Sequence, residues 1–387
     1  MTPVPLSLYI HFPWCLHKCP YCDFNSHQVP EALPEERYIQ ALLRDLEQEL
    51  PSIWGRPLHT VFMGGGTPSL ISAKGMRALM QGLNALLPMR PNMEITLEAN
   101  PGTFEQQRFD DYREAGITRL SIGIQSYDAK HLQVLERVHD AEEAHQAAKI
   151  AKTAGFDNFN LDLMFGLPKQ TLEQALTDLQ LAIEHQPPHL SWYQLTLEPN
   201  TLFHHQPPQL PDPDLIADIQ DAGVELLEKE GYEQYEVSAY AQPKKQCMHN
   251  RNYWEFGDYI GIGAGAHGKI TTGEHIVRTM KAKHPEKYMD DCLGSLSGER
   301  SSQSLRVTET ELYSKDRSFE FMLNGLRLKE GIEKELFTQR ALLPLDHLRG
   351  GADKAKAKEL LIETDTHFKL TSRGWHFLNE AVECFLY

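Results

Sequence analysis

"HFPWCLHKCPYCDFNSH", residues 11–27, holds three of the chain's six cysteines, Cys15, Cys19 and Cys22, within eight residues. Steps of four and three would line the thiols up on one helix face. Pro20 opposes a helix, because it disfavours the α region for Cys19 and has no N–H. A loop wrapped around a ligand is therefore expected. Three thiolates plus one of His11, His17 or His27 would suit zinc, although zinc sites usually carry paired CxxC spacing. A cubane iron–sulfur cluster takes one thiolate per iron, so three cysteines would leave one iron open. Cys247, Cys292 and Cys384 are scattered, and in a reducing compartment a tight triplet points to metal rather than disulfides.

Outward from this loop, short β-branched or aromatic runs alternate with amphipathic ones. "LSLYIHF" at 6–12 is followed by "EERYIQALLRDLEQEL", and "HTVFMGG" at 59–65 by "KGMRALMQGLNALL". The alternation continues through "EITLEAN", "FEQQRFDDYREAG", "RLSIGIQS", "EEAHQAAKIAKTAG", "NFNLDLMFGL", "LEQALTDLQLAIEHQ" and "HLSWYQLTLE". Six strand–helix units predict a parallel sheet with crossover helices. Gly116 and Gly155 stand where left-handed helix caps are wanted. Polar or glycine residues close nearly every strand, which favours a full or partial (β/α) barrel, whose strand ends converge on one face, over an open sheet with a single switch point.

After residue 198 the Pro-rich "EPNTLFHHQPPQLPDPD" predicts a loop, then a helix near 214–230. The C-terminal part becomes helical and charged, and "HFKLTSRGWHFLNEAVECFLY" suggests the strand, turn and helix of a small winged-helix-like packing domain. The expected division is 1–290 and 291–387.

Composition narrows the function. Lys plus Arg number 38 against 54 Asp plus Glu, a net charge of −16, which repels a phosphate backbone; nucleic acid is excluded as the expected partner. No run approaches a membrane-spanning length and the first residues do not read as a secretory signal, so a cytoplasmic protein is expected.

The strand ends supply a mixed set of donors and charges. "VFMGGGTPS" at 61–69 is a glycine run after a strand, neither a Walker A sequence nor GxGxxG. Glu98, Gln125, Arg137 and Asp162 add the charges a zwitterionic ligand requires. Tyr9 and His11 alternate on the first strand and share a face. "GAGAHG" at 263–268 fits GxGxxG formally, but no helix is expected after it, so a nicotinamide site is not.

CxxxCxxC with Tyr21 before the last cysteine, following the first strand, resembles the radical S-adenosylmethionine superfamily over about the first 270 residues. The resemblance implies a 4Fe-4S cluster on Cys15, Cys19 and Cys22, whose open iron is chelated by the amino and carboxylate groups of S-adenosylmethionine. It also implies that Gly65, Gly66 and Thr67 contact the amino-acid part of that ligand, that Tyr9 and Tyr21 lie beside it, and that Glu98, Gln125, Arg137 and Asp162 complete the cradle.

"YIHFPWC", "GGGTPS" and "EANPG" are similar to a narrower group, the haem chaperones and their relative, oxygen-independent coproporphyrinogen III oxidase. Phe24 stands where the oxidase has a fourth cysteine, and only 14 residues precede Cys15. "HNRNYW", 249–254, matches the chaperones' HNxxYW motif. It implies haem binding through His249 and Tyr253, with Trp254 as apolar surface and Cys247 and His267 as lesser ligand candidates. The function so implied is haem binding and delivery to apo-haemoproteins, with peripheral membrane contact left open. The alternative is radical decarboxylation of coproporphyrinogen III. Radical modification of RNA is disfavoured by the charge.

Overall fold

The computed structural model describes residues 4–102, 108–294 and 305–386. Twelve strands form one sheet: β1 Leu6–Phe12, β2 Leu58–Gly65, β3 Glu94–Ala99, β4 Arg119–Gln125, β5 Phe159–Phe165, β6 His189–Gln194, β7 Glu233–Glu236, β8 Ala239–Ala241, β9 Asp258–Ile262, β10 His267–Thr272, β11 His275–Lys281 and β12 Arg306–Glu311. Their spatial order is β12-β11-β10-β9-β1-β2-β3-β4-β5-β6-β8-β7. The seven central strands, β9 through β6, are parallel. Antiparallel strands continue the sheet at both ends. Its outer strands β12 and β7 do not pair with each other, so the barrel is partial, as expected.

The helices that return the chain are α1 Glu35–Glu49, α2 Ala73–Leu86, α3 Phe109–Ala115, α4 Ala129–Val134, α5 Ala141–Thr153, α6 Leu172–Glu184 and α7 Pro213–Lys229. The expected helix beginning at residue 104 starts outside the described residues. Local chemistry sets these helices. Asp140 with Glu143 and Thr171 with Gln174 form capping boxes. Gly116 and Gly155 end helices at φ 107° and 80°, which only glycine adopts without strain. Fully buried strand residues such as Leu8, Val61, Leu97, Ile122 and Leu161 meet the apolar helix faces in one continuous core.

A second core joins Phe256 and Ile276 to residues 312–385, where a three-stranded sheet, Ile332–Glu333, Leu361–Glu363 and His367–Leu370, packs with short helices. The large sheet itself runs past residue 290 to Glu311. A buried ion cluster fastens that edge: Lys281 Nζ lies 2.6 Å from both Asp45 and Glu49, and Arg306 2.6 Å from Glu49. Ions this deep are tolerated because each finds a partner. No described helix is long and apolar enough to cross a membrane.

Candidate functional site

Two adjoining cavities open at the C-terminal ends of the parallel strands. The first, about 340 Å³, is lined by Cys15, Cys19, Cys22, Tyr21, Gly65, Gly66, Thr67, Glu98, Gln125, Arg137 and Asp162. Eleven of the fourteen expected site residues thus meet in one place. Tyr9, His249 and Tyr253 instead line the second cavity, of about 1140 Å³. Cys22, Phe24, Gly65 and Glu98 border both.

The cysteine loop is held by its backbone. Cys22 N–H donates to Cys19 C=O at 3.1 Å, His27 N–H to Pro13 C=O at 2.7 Å and Val29 N–H to Cys15 C=O at 2.9 Å. All three thiols are free and partly exposed to the cavity. Burial pushes the Cys15 and Cys22 thiols above the usual range.

Zinc with a histidine ligand loses its candidates. His11 is buried between the Tyr9 hydroxyl, 3.0 Å, and Asn25 C=O, 2.8 Å. His17 pairs with Glu136 at 2.9 Å and His27 lies against His284. Among the described residues no three His, Cys, Asp or Glu side chains converge tightly enough for a single ion. A cubane asks for one thiolate at each of three irons, not for three thiolates on a point.

Arg137 lines the cavity and makes no salt bridge among the described residues. Its Nη2 donates to Asn100 Oδ1 at 2.7 Å and Gly123 C=O at 2.9 Å, while Nη1 lies 3.5 Å from Cys19 Sγ and 3.4 Å from the Tyr21 hydroxyl. Its Nε is buried without a partner. A guanidinium held beside a thiol, with no carboxylate partner among the described residues, suits an anionic thiolate cluster. The residues present therefore fit the expected group.

The glycine turn approaches the loop closely. A Cβ on Gly66 would stand 2.6 Å from Trp14 C=O and 2.9 Å from Phe12 C=O, and Gly65 has φ 112°. The turn's amides are engaged within the protein, Gly65 with Glu98 at 3.1 Å, Gly66 with Phe12 at 2.6 Å and Thr67 with Trp14 at 2.7 Å. Gly65–Thr67 thus shape the cavity through backbone spacing rather than through free N–H donors.

Glu98 and Asp162 make the opposite wall acidic. Burial, then the Asp162 charge, lifts the Glu98 carboxyl to about 8, against the Gly65 hydrogen bond that favours its ionised form. Asp162 is raised by burial and accepts from Asn160 at 2.7 Å and Ser121 at 3.0 Å. Gln125 ends β4 at φ 68°, a strained value for a side-chain-bearing residue, and its Oε1 accepts from the Tyr193 hydroxyl at 2.8 Å.

In α8, Met248–Trp254, His249, expected to bind haem, has both ring nitrogens hydrogen-bonded within the protein. It is fully buried, with Nδ1 2.8 Å from Thr60 Oγ1 and Nε2 2.8 Å from the Tyr253 hydroxyl. Burial holds its pKa down at about 3, so it is neutral. His249 instead fixes the Tyr253 ring, which is partly open to the second cavity. Cys247 is buried behind α8 against Glu94. GAGAHG forms the turn after β9 and the first two residues of β10, so a strand rather than a helix follows it.

Sequence reading missed Asn100, which braces both Arg137 and Thr67. Its place inside EANPG was the available signal. It also missed Arg327, whose guanidinium lies 4.3 Å over the Trp254 ring and 2.8 Å from Glu236; no motif marks it.

Residues 9–182 match the Radical SAM superfamily model and residues 312–377 the HemN C-terminal domain model. The chain is 50% identical to the Escherichia coli protein named heme chaperone HemW, covering 99% of this chain and 98% of that one. It is also 50% identical to the Haemophilus influenzae protein of the same name, over the same shares. The solved structure of E. coli coproporphyrinogen III oxidase (HemN), described as a radical SAM enzyme, superposes with a TM-score of 0.82 at 23% identity, covering 99% of this chain and 90% of that one, a likeness of fold. The chain belongs to the radical SAM superfamily and, within it, to the family of the heme chaperone HemW.

Proposed function

We propose that the chain binds haem and delivers it to apo-haemoproteins in the cytoplasm. The observation that carries this reading is the 50% identity, over nearly the whole of both chains, with proteins named heme chaperone. The chemistry of the cavities supports it. Cys15, Cys19 and Cys22 would hold a 4Fe-4S cluster, with Arg137 compensating its charge. Gly65–Thr67, Glu98, Gln125, Asp162 and Tyr21 would receive S-adenosylmethionine, the acidic pair facing its cationic groups. A cluster on three cysteines keeps one iron open to that ligand and can supply it an electron. The second cavity, walled by Phe62, Tyr253 and Trp254, offers the aromatic surface a porphyrin needs. We retain 1–290 and 291–387 as the working division into barrel and C-terminal domain.

Likeness to the oxidase at 23% identity speaks for the fold alone, and Phe24 replaces the thiol expected of that enzyme. The test is to reconstitute the protein anaerobically and supply haem and coproporphyrinogen III separately. Stoichiometric haem absorbance without CO₂ release is expected; CO₂ released in proportion to coproporphyrinogen consumed overturns the reading.

A further inference from the structure

We infer that the haem iron is ligated by His267, at the mouth of the larger cavity, and that Lys283 beside it pairs with a propionate. The inference rests on the haem reading above and assigns the ligand within it.

Four histidines line this cavity. His11 and His249 have both ring nitrogens bonded inside the protein. His27 interacts with the Lys283 backbone, and its Nε2 is buried out of reach. Of these four, only His267 is exposed with no side-chain hydrogen bond among the described residues. It opens β10, opposite Met280 of β11, and shares a strand face with Lys269 two residues on. Lys269 stands in a cross-strand row with Tyr259 and Arg278, which also line the cavity. The sheet thus aims that face at the same space that Tyr253 walls.

Burial and the charges of Lys283 and Arg278 hold the His267 imidazole below its usual range, leaving the neutral, iron-binding form at neutral pH. Of the two cations, Arg278 is committed to Glu320 and Tyr259. Lys283 is exposed and makes no ion pair among the described residues, so it is available to a carboxylate. Lys18, the other exposed lysine on this cavity, is turned to the Phe24 and Ser26 carbonyls, while Asp23 and Glu198 on the same wall repel a carboxylate.

The experiment titrates wild type, His267→Ala, His249→Ala and Lys283→Glu with ferric haem and with haem dimethyl ester, reading the Soret band and the low-spin signals. The His267→Ala variant should lose the imidazole signature and weaken haem at least about tenfold, with added imidazole restoring the spectrum. Lys283→Glu should weaken haem several-fold but not its dimethyl ester, and His249→Ala, where it folds, should keep the imidazole signature. A His267→Ala protein with wild-type spectrum and affinity overturns the ligand assignment while leaving haem binding intact. A wild type that binds no haem overturns the functional reading itself. Because His267 is exposed, its alanine variant is expected to fold, so the result does not hinge on His249→Ala.

Discussion

Replacing Glu98 by Gln separates what this carboxylate costs the fold from what it gives the ligand. Its pKa of about 8 lies far above the ordinary 4.5 because burial and the Asp162 charge oppose ionisation. Tyr9 on β1 and Tyr193 on β6 also face it, and burial raises both, with a smaller contribution from the Glu98 charge. A carboxyl with a raised folded pKa is most compatible with the fold below pH 4.5, and its ionisation erodes stability as pH climbs toward 8. Taken whole, that difference is about 4–5 kcal/mol at pH 8. Water entering the open cavity screens it to about 1–3 kcal/mol. Glu98→Gln should therefore melt higher than wild type at pH 8 and match it near pH 5. Ligand binding should move the other way. At pH 7, below that raised pKa, the unliganded carboxyl is mostly protonated, so a cationic ligand must expel that proton. Calorimetry with S-adenosylmethionine in buffers of different ionisation enthalpy should register release of about one proton per ligand at pH 7. Glu98→Gln should release almost none and bind at least about tenfold more weakly. Wild type that binds without releasing a proton, or a variant melting no higher at pH 8, refutes the reasoning.

Single Cys15→Ser, Cys19→Ser and Cys22→Ser variants should fold with wild-type circular dichroism yet fail to develop iron–sulfur absorbance on reconstitution. Arg137→Lys cannot span Asn100 and Gly123 with one planar fork, and chemical denaturation should register a loss of about 1–3 kcal/mol. In Gly66→Ala the new methyl meets two backbone carbonyls that cannot swing aside; a loss of at least about 2 kcal/mol and a less stable reconstituted cluster are expected. Removing Arg327 with Arg327→Ala breaks its contacts to Glu236 and Trp254, and limited proteolysis should then cut between barrel and C-terminal domain faster than in wild type.

The central fold was legible because its signals are local. Alternating runs marked β1–β6, glycine caps at Gly116 and Gly155 closed the helices, and Pro20 made the cysteine segment a loop. The site was legible where side-chain type and strand end coincide, as at Glu98, Gln125 and Asp162. Strand β12, "RVTETE", was not, because an edge strand facing solvent lacks an apolar stripe; besides its ladder with β11, it is held by Lys281 and Arg306 reaching Asp45 and Glu49 across more than 230 residues. The setting of His249 was not legible for a related reason. Sequence names an imidazole but not the Thr60 and Tyr253 hydroxyls that use up its nitrogens. Arg137, expected in the cradle, lies on its wall, but its approach to Cys19 was not legible, since helix-end position alone does not tell which way the fold turns a guanidinium.

The measurement closest to the central claim is transfer of haem from the reconstituted, haem-loaded protein to an apo-haemoprotein, followed anaerobically by the Soret band and the acceptor's activity. The account predicts that the acceptor gains haem and activity faster than free haem at the same concentration provides them. A protein that keeps its haem, or gives it up no faster than haem dissociates into solution, contradicts it.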